Sequence, residues 1–391
     1  MKEKIMETAE NLLDKMTMHR RKIHGLAEIG FEVEETLRYV EEVLTELGVA
    51  NSRVGGGIVG EIGEGEAGIL LRADCDALPI KEESGEAFAA SNGNMHACGH
   101  DMHTAMLLGA AEIIKKWESM LDGRVTLVFQ PAEEVLRGAK SMIDDGLFAR
   151  GVSECGIMLH VLSSEEIPVG SVIVPHGGAV APEVQFFEVE ITGSASHGAT
   201  PRGAKDALTC AARILLGFEE LSAREFAGSD MVLTVGNMDG GGAPNAIADS
   251  ATLRGSFRSL DGRTVEAVKE RICEISDGIC CAFGTRADVR FEANAPAFFV
   301  DEALSGAAKI FLAELLGKEK IITPEEFIGG GSEDFAYIAK RIPSLLIGIS
   351  AGKNGYSLHN PRVRFDESVL SEGAAVYSYL AFRLLEENFD S

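Results

Sequence analysis

Three short apolar runs, Gly68–Arg72, Arg124–Gln130 and Gly156–Val161, alternate with stretches of helical spacing, and this alternation constrains the fold of the 391-residue chain more than anything else in it. The runs are near-continuously apolar, as in strands buried on both faces, so helices must cover the sheet they form. Thr104 to Trp117 (TAMLLGAAEIIKKW) has the spacing of a strong helix, and Ala139 to Asp144 begins another. The expected class is therefore α/β, with a mixed, largely parallel sheet and helices on both faces. Upstream, the stretch to about Leu47 reads as helix from Leu12, Leu13, Met16, Leu37, Val40, Val43 and Leu44, with Gly48 as a stop signal. Ile58–Ile62 reads as one more strand.

Near residue 182 the pattern changes. Strands at 184–191, 231–235, 251–258 and 285–291 and helices at 206–221 and 264–283 follow the order β-α-β-β-α-β, the split unit of ferredoxin-like α+β domains. Residues 182–295 are thus expected to be an inserted domain, and 1–181 with 296–391 the domain that hosts it. Helices at 303–316 and 367–386 and a strand at 344–348 are expected to complete the host.

Lys and Arg total 36 against 61 Asp and Glu, a net charge of −25, which argues against nucleic acid or an anionic membrane as partner. No run approaches the roughly 18 apolar residues of a membrane span. The opening MKEKIMETAENLLDKM is charged, without the apolar core of a secretory signal. Seven scattered cysteines form no disulfide framework, so reduced thiols in a cytoplasm are the simplest expectation.

The chemistry-bearing residues fall into four places. Met95–His103 (MHACGHDMH) packs three histidines, a thiol and a carboxylate into one glycine-containing turn ahead of a helix. Imidazole and thiolate suit borderline divalent metals; the bland reading is a surface histidine cluster with a buried free thiol. Phe129–Glu134 (FQPAEE) ends a buried strand in two adjacent carboxylates, at the edge where open α/β sheets bind ligands. Consecutive side chains point apart, so one can bind metal while the other moves a proton. His160, near a strand end, and His359, in the turn SLHNP, are weak signals singly. Together Cys98, His100, Glu134, His160 and His359, with Glu133 left over, are about what a two-metal hydrolytic site requires. Asp76 is expected to brace the site, Asp74 to serve its turn, and Glu333 and Asp334 to meet substrate or cap the helix at Phe335.

In order along the chain stand LRADCDALPI (71–80), MHACGHDMHTAMLLGAA (95–111), VFQPAEE (128–134), LHV (159–161), SHGATP (196–201), NAIAD (245–249), GGSEDFAY (330–337) and LHNP (358–361). With these blocks the chain resembles the dinuclear-metal aminoacylase and deacylase family, in the amidohydrolase branch of hippurate hydrolase, N-acyl-amino-acid amidohydrolases and auxin-conjugate hydrolases. The resemblance implies that Cys98, His100, Glu134, His160 and His359 hold two divalent ions, Zn or Mn, with Co and Ni compatible. It implies Glu133 as general base, and an inserted lid and dimerisation domain in which His197 and Asn245 hold substrate or the developing oxyanion, His197 in its own site or the neighbouring subunit's. The implied reaction is hydrolysis of an N-acyl amino acid or related small amide by a homodimer. A carboxypeptidase or dipeptidase of the same architecture is the alternative, and a non-catalytic binding protein a more distant one. The chain departs from the family pattern at Arg202, Ala248, Val135 and Ala27, which leaves the metal set intact and bears on substrate class.

Overall fold

The computed structural model describes residues 1–65, 67–151, 153–325 and 331–387. They form two compact units: Met1–Val180 with the chain from Phe298 onward, and Ala181–Ala297, with which Gly331 and Ser332 also group.

The first unit is built on an eight-stranded sheet. Strands β1 (Ala50–Val54), β2 (Gly57–Gly63), β3 (Gly68–Asp74), β4 (Arg124–Gln130) and β5 (Cys155–Leu162) run in the order β1-β2-β4-β3-β5, followed by Ser344–Ser350, β6 (Val172–Ile173) and Ile321–Ile322. The central four are parallel: β3 pairs with β4 and β5, and β5 with Ser344–Ser350. β1, β2 and β4 pair antiparallel, so the sheet is mixed. β3 and Ser344–Ser350 are buried at every residue, as apolar strands covered on both faces are, and in β3 the burial takes in Arg72 and Asp74 as well.

Two helices, His100–Lys116 and Val369–Glu386, pack against one another and are buried along most of their length. Tyr377 fastens the second to the sheet: its hydroxyl donates to Arg72 O (2.6 Å) on β3 and accepts from Leu159 N (2.9 Å) on β5.

The start of helix His100–Lys116 depends on Gly99, which sits at φ +88°, where a Cβ would lie 2.3 Å from Val161 Cγ2. A left-handed backbone costs a residue with a side chain about 1–2 kcal/mol, and the collision adds to it. Gly99→Ala is expected to lower stability by at least about 2 kcal/mol in urea unfolding. An unchanged midpoint would show that the turn relaxes freely.

The opening segment is not one helix but three: Lys2–Asn11, Leu13–Leu26 and Glu34–Glu46. The second ends at Ala27 in a left-handed conformation, and Ile29 then bridges Ala77, with Ala77 N donating to Glu28 O (2.7 Å). Strand β1 (ANSRV) carries no apolar run and goes unread in the sequence; it forms because β2 offers it a free edge.

The second unit has a four-stranded antiparallel sheet, ordered Val232–Gly240, Ser250–Ser259, Glu183–Thr192, Arg286–Ala295. The first strand in sequence lies between the third and the fourth, the ferredoxin-like arrangement. Helices Ala207–Glu220 and Gly262–Phe283 bury one face against Phe187, Val189 and Ile191. Asp206 and Asp261 accept from backbone N–H groups in the first turns of these helices. No helix among the described residues is long and apolar enough to cross a membrane.

Candidate metal centre

All five expected donors converge in the first unit. Cys98, His100 and His160 form one triad whose donor atoms lie within 4.8 Å of one another, and Cys98, Glu134 and His359 form a second. Cys98 belongs to both: its Sγ is 3.5 Å from His160 Nε2, and Glu134 Oε1 is 3.5 Å from His359 Nε2. Glu133 joins the group through His100, whose Nε2 is 3.9 Å from both Glu133 Oε2 and Glu134 Oε1.

Local structure explains the convergence. The parallel strands β4 and β5 deliver Glu133, Glu134 and His160 at or just beyond their carboxyl ends, and helix His100–Lys116 presents His100 from its first turn. Ala132, just before the carboxylate pair, and His359 itself adopt left-handed backbones, φ +56° and +64°. Non-glycine residues persist there only when their surroundings hold them. His359 is anchored through its N–H to Ala97 O (2.9 Å).

Asp76 accepts from the N–H groups of Glu133 (3.0 Å) and Glu134 (3.2 Å), and His100 Nδ1 donates to the Asp76 carbonyl (2.8 Å). This brace turns His100 Nε2 toward the cluster. His103, in the same motif, is already committed: Nδ1 donates to Asp74 Oδ1 (2.6 Å) and Nε2 accepts from Val161 N (2.8 Å). It is a support, not a donor.

His100 Nε2 and Glu134 Oε1 are buried without a hydrogen-bond partner among the described residues. Burial pushes the Glu134 carboxyl up to about 7, and burial followed by repulsion from Glu333 drives the Glu133 carboxyl well above the usual range. Burial works against a Cys98 thiolate, but His160 and His100 outweigh it and hold the thiol well below its ordinary value. Orphaned donors, a thiolate and crowded carboxylates are what divalent cations neutralise, and the mixed sulfur, nitrogen and oxygen set suits divalent transition-metal ions. The residues fit a two-ion centre.

His197 and Asn245 lie in the second unit, brought side by side by a small two-stranded ladder in which His197 pairs with Ala246. Gly198 N donates to Asn245 O (2.7 Å), and Ala199 N to His197 Nδ1 (3.1 Å). In the neutral ring Nε2 then carries the proton, an exposed donor.

Several residues near the centre were missed or left open by sequence reasoning. Arg72 is buried beneath it, paired with Asp74, Glu333 and Asp334; the signal was a charge inside an apolar strand. Glu333 also accepts from Phe335 N (2.9 Å), just ahead of the short helix Ala336–Ala339, which has no side-chain cap. Of the motif at 330–337, Gly330 lies outside the described residues. His24, unassigned in the sequence, hydrogen-bonds Asp101 (2.9 Å) and Glu82 (3.1 Å) in the interior. Burial favours its neutral form, but these carboxylates prevail and raise it to about 9. The folded ring holds its proton more tightly than the unfolded one, whose ordinary value is 6.5, by about 3 kcal/mol. This contribution is complete below about pH 6.5 and disappears as pH rises through about 9. The stability gap between wild type and His24→Asn should therefore narrow by about 3 kcal/mol from pH 6 to 9.5 in urea unfolding. A constant gap would remove the charged pair from the account.

Comparison with known proteins agrees with this geometry. A match to peptidase family M20/M25/M40 covers residues 70–383, and the chain belongs to that family, in its amidohydrolase branch. It is similar to the IAA-amino acid hydrolase ILR1-like 2 of Arabidopsis thaliana, 36% identical over 98% of this chain and 89% of the relative. It is also similar to the N-acetyl-L-cysteine deacetylase of Bacillus subtilis, 35% identical over 95% of this chain and 88% of the relative. Among solved structures, the Bacillus subtilis YXEP protein, described as a dinuclear metal binding peptidase, superposes with a TM-score of 0.78 at 28% identity, covering 96% of this chain and 99% of that one.

Proposed function

We propose that this protein is a metal-dependent amidohydrolase that cleaves N-acyl amino acids or related small amides. The observation that carries the reading is the pair of donor triads sharing Cys98, with the uncommitted Glu133 carboxylate beside them. Relatives named as an amino acid conjugate hydrolase and an N-acetyl-L-cysteine deacetylase support the acyl-amino-acid class.

In this reading Cys98, His100, Glu134, His160 and His359 hold two divalent ions. When bound, such ions lower the pKa of water and polarise a carbonyl. Glu133 accepts the proton of the attacking water on a carboxylate oxygen and returns it to the departing amine. His197 Nε2, from the same chain or from its neighbour in the dimer, donates a hydrogen bond to the charge that builds on the former carbonyl oxygen, and Asn245 orients the substrate. Arg202, exposed in the same segment as His197, offers a planar fork suited to a substrate carboxylate.

The reading includes a homodimer through the second unit. Its edge strand Val232–Gly240 exposes Val232 and Met238, and Leu208 and Leu216 of helix Ala207–Glu220 are exposed as well. Light scattering is expected to return twice the chain mass; a monomer at micromolar concentration would refute this element.

The test is amine release from acetyl-, benzoyl- and succinyl-amino acids and from glycine dipeptides, after reconstitution with Zn, Mn, Co or Ni in turn. Cleavage of the acylated series supports the proposal. Cleavage of dipeptides alone makes the protein a peptidase, and tight binding without turnover makes it a binding protein.

A further inference from the structure

Arg72 is a fully buried cation in the middle of the parallel sheet, a position tolerated only where its donors are met. Nε donates to Gln130 Oε1 (2.9 Å), Nη1 to Asp74 Oδ2 (2.8 Å), and Nη2 to Glu333 Oε1 (2.9 Å) and Asp334 Oδ1 (3.1 Å). The guanidinium thus joins three chain segments in one plane. Gln130 Nε2 also donates to Asp334 Oδ1 (2.7 Å), and the other Asp334 oxygen accepts from Ala139 N (2.9 Å).

These bonds close a clamp on both ends of residues 131–138, the loop that carries Glu133. Gln130 is held on its near side and Ala139 on its far side. Gly138 completes the closure: a Cβ there would lie 1.7 Å from Pro131 O, so the loop's two ends touch backbone to backbone. Within the loop Ala132 and Leu136 both sit at φ +56°, a conformation a loop left to itself would abandon. The Glu133 carboxylate lies within 4.8 Å of Glu333 and Asp334, two of the three carboxylates that Arg72 pairs with. None of these Arg72 bonds reaches Cys98, His100, Glu134, His160 or His359.

We propose that Arg72, acting through Gln130 and Asp334, is a positioning residue for proton transfer: it locks the 131–138 loop so that Glu133 points at the reacting atoms. This rests on the hydrolase reading above, with Glu133 as the proton carrier. Lysine keeps the charge but gathers its donors on one nitrogen, which cannot span the four acceptors that the planar guanidinium reaches, and asparagine at 334 keeps the shape while losing one of the two acceptor oxygens that hold Gln130 and Ala139 together.

The experiment uses the full chain as wild type, Arg72→Lys and Asp334→Asn. It compares melting curves, the stoichiometry and visible spectrum of bound Co²⁺, and kcat and KM separately on the best acyl-amino acid. Both variants are expected to melt cooperatively and to bind Co²⁺ with the wild-type stoichiometry and spectrum. KM should stay within about threefold while kcat falls about 100-fold, the cost of a displacement near 1 Å. A folded variant with kcat within threefold of wild type overturns the proposal. So does a fall in kcat accompanied by an altered Co²⁺ spectrum, which would make the clamp a scaffold for the donors. If Arg72→Lys does not fold, Asp334→Asn decides. Failure of the hydrolase reading shows itself separately, as a wild-type protein that turns over no amide.

Discussion

Glu133→Gln is expected to bind metal as wild type does and to lose turnover by a factor of about 100 to 10,000, with KM changed only a few-fold. Glutamine has the size and shape of the carboxylate it replaces, and the backbone N–H of residue 133 keeps its bond to Asp76 (3.0 Å), so the loop should not move. What disappears is an oxygen able to accept a proton and give it back. A second consequence concerns stability. Burial and the neighbouring Glu333 both work against a charge at Glu133, so in metal-free protein the amide suits a site that already favours the uncharged form. The metal-free variant should therefore melt at the same temperature as wild type or higher. Metal analysis, kcat and thermal unfolding of a single preparation check all three. Turnover within tenfold of wild type would take Glu133 out of the proton-transfer role.

How much of this centre could be read in the sequence depends on how each residue earns its place. Cys98 and His100 stand out because metal-binding side chains crowd one short turn, and Glu133 and Glu134 because a strand too apolar to be anything but buried ends in two carboxylates. His160 and His359 carry no such mark; a lone histidine after a strand or in a turn looks like many others, and only the order of the motifs singled them out. Arg72 was missed because its meaning lies in partners up to 262 residues away, Glu333 and Asp334, which contact it only once the sheet has formed. The break at Ala27 escaped helical periodicity for a similar reason: the left-handed turn exists to let Ile29 reach Ala77, a pairing between segments that no local pattern encodes. The strands and helices of the antiparallel unit were legible, since its strands alternate and its two helices keep helical spacing.

Cys98→Ala should have the largest effect of any single change in the donor set, because the thiol stands in both triads. Removing it leaves His100 and His160 on one side and Glu134 with His359 on the other, each short of the three protein ligands usual in catalytic sites. After dialysis the variant is expected to retain less than about a tenth of the wild-type metal and to lose activity at least about 1,000-fold. His359→Ala supplies the contrast. His359 is half-exposed and belongs to the second triad alone, so its loss spares Cys98, His100 and His160, and about half the metal should remain. Co²⁺ loading separates the cases, since a sulfur-to-metal charge-transfer band persists in His359→Ala and vanishes in Cys98→Ala. Should Cys98→Ala instead keep the same half complement as His359→Ala, the thiol serves one ion only, and the other must be held with help from Asp74, Asp76 or Glu133, the further carboxylates within 3.9 Å of His100.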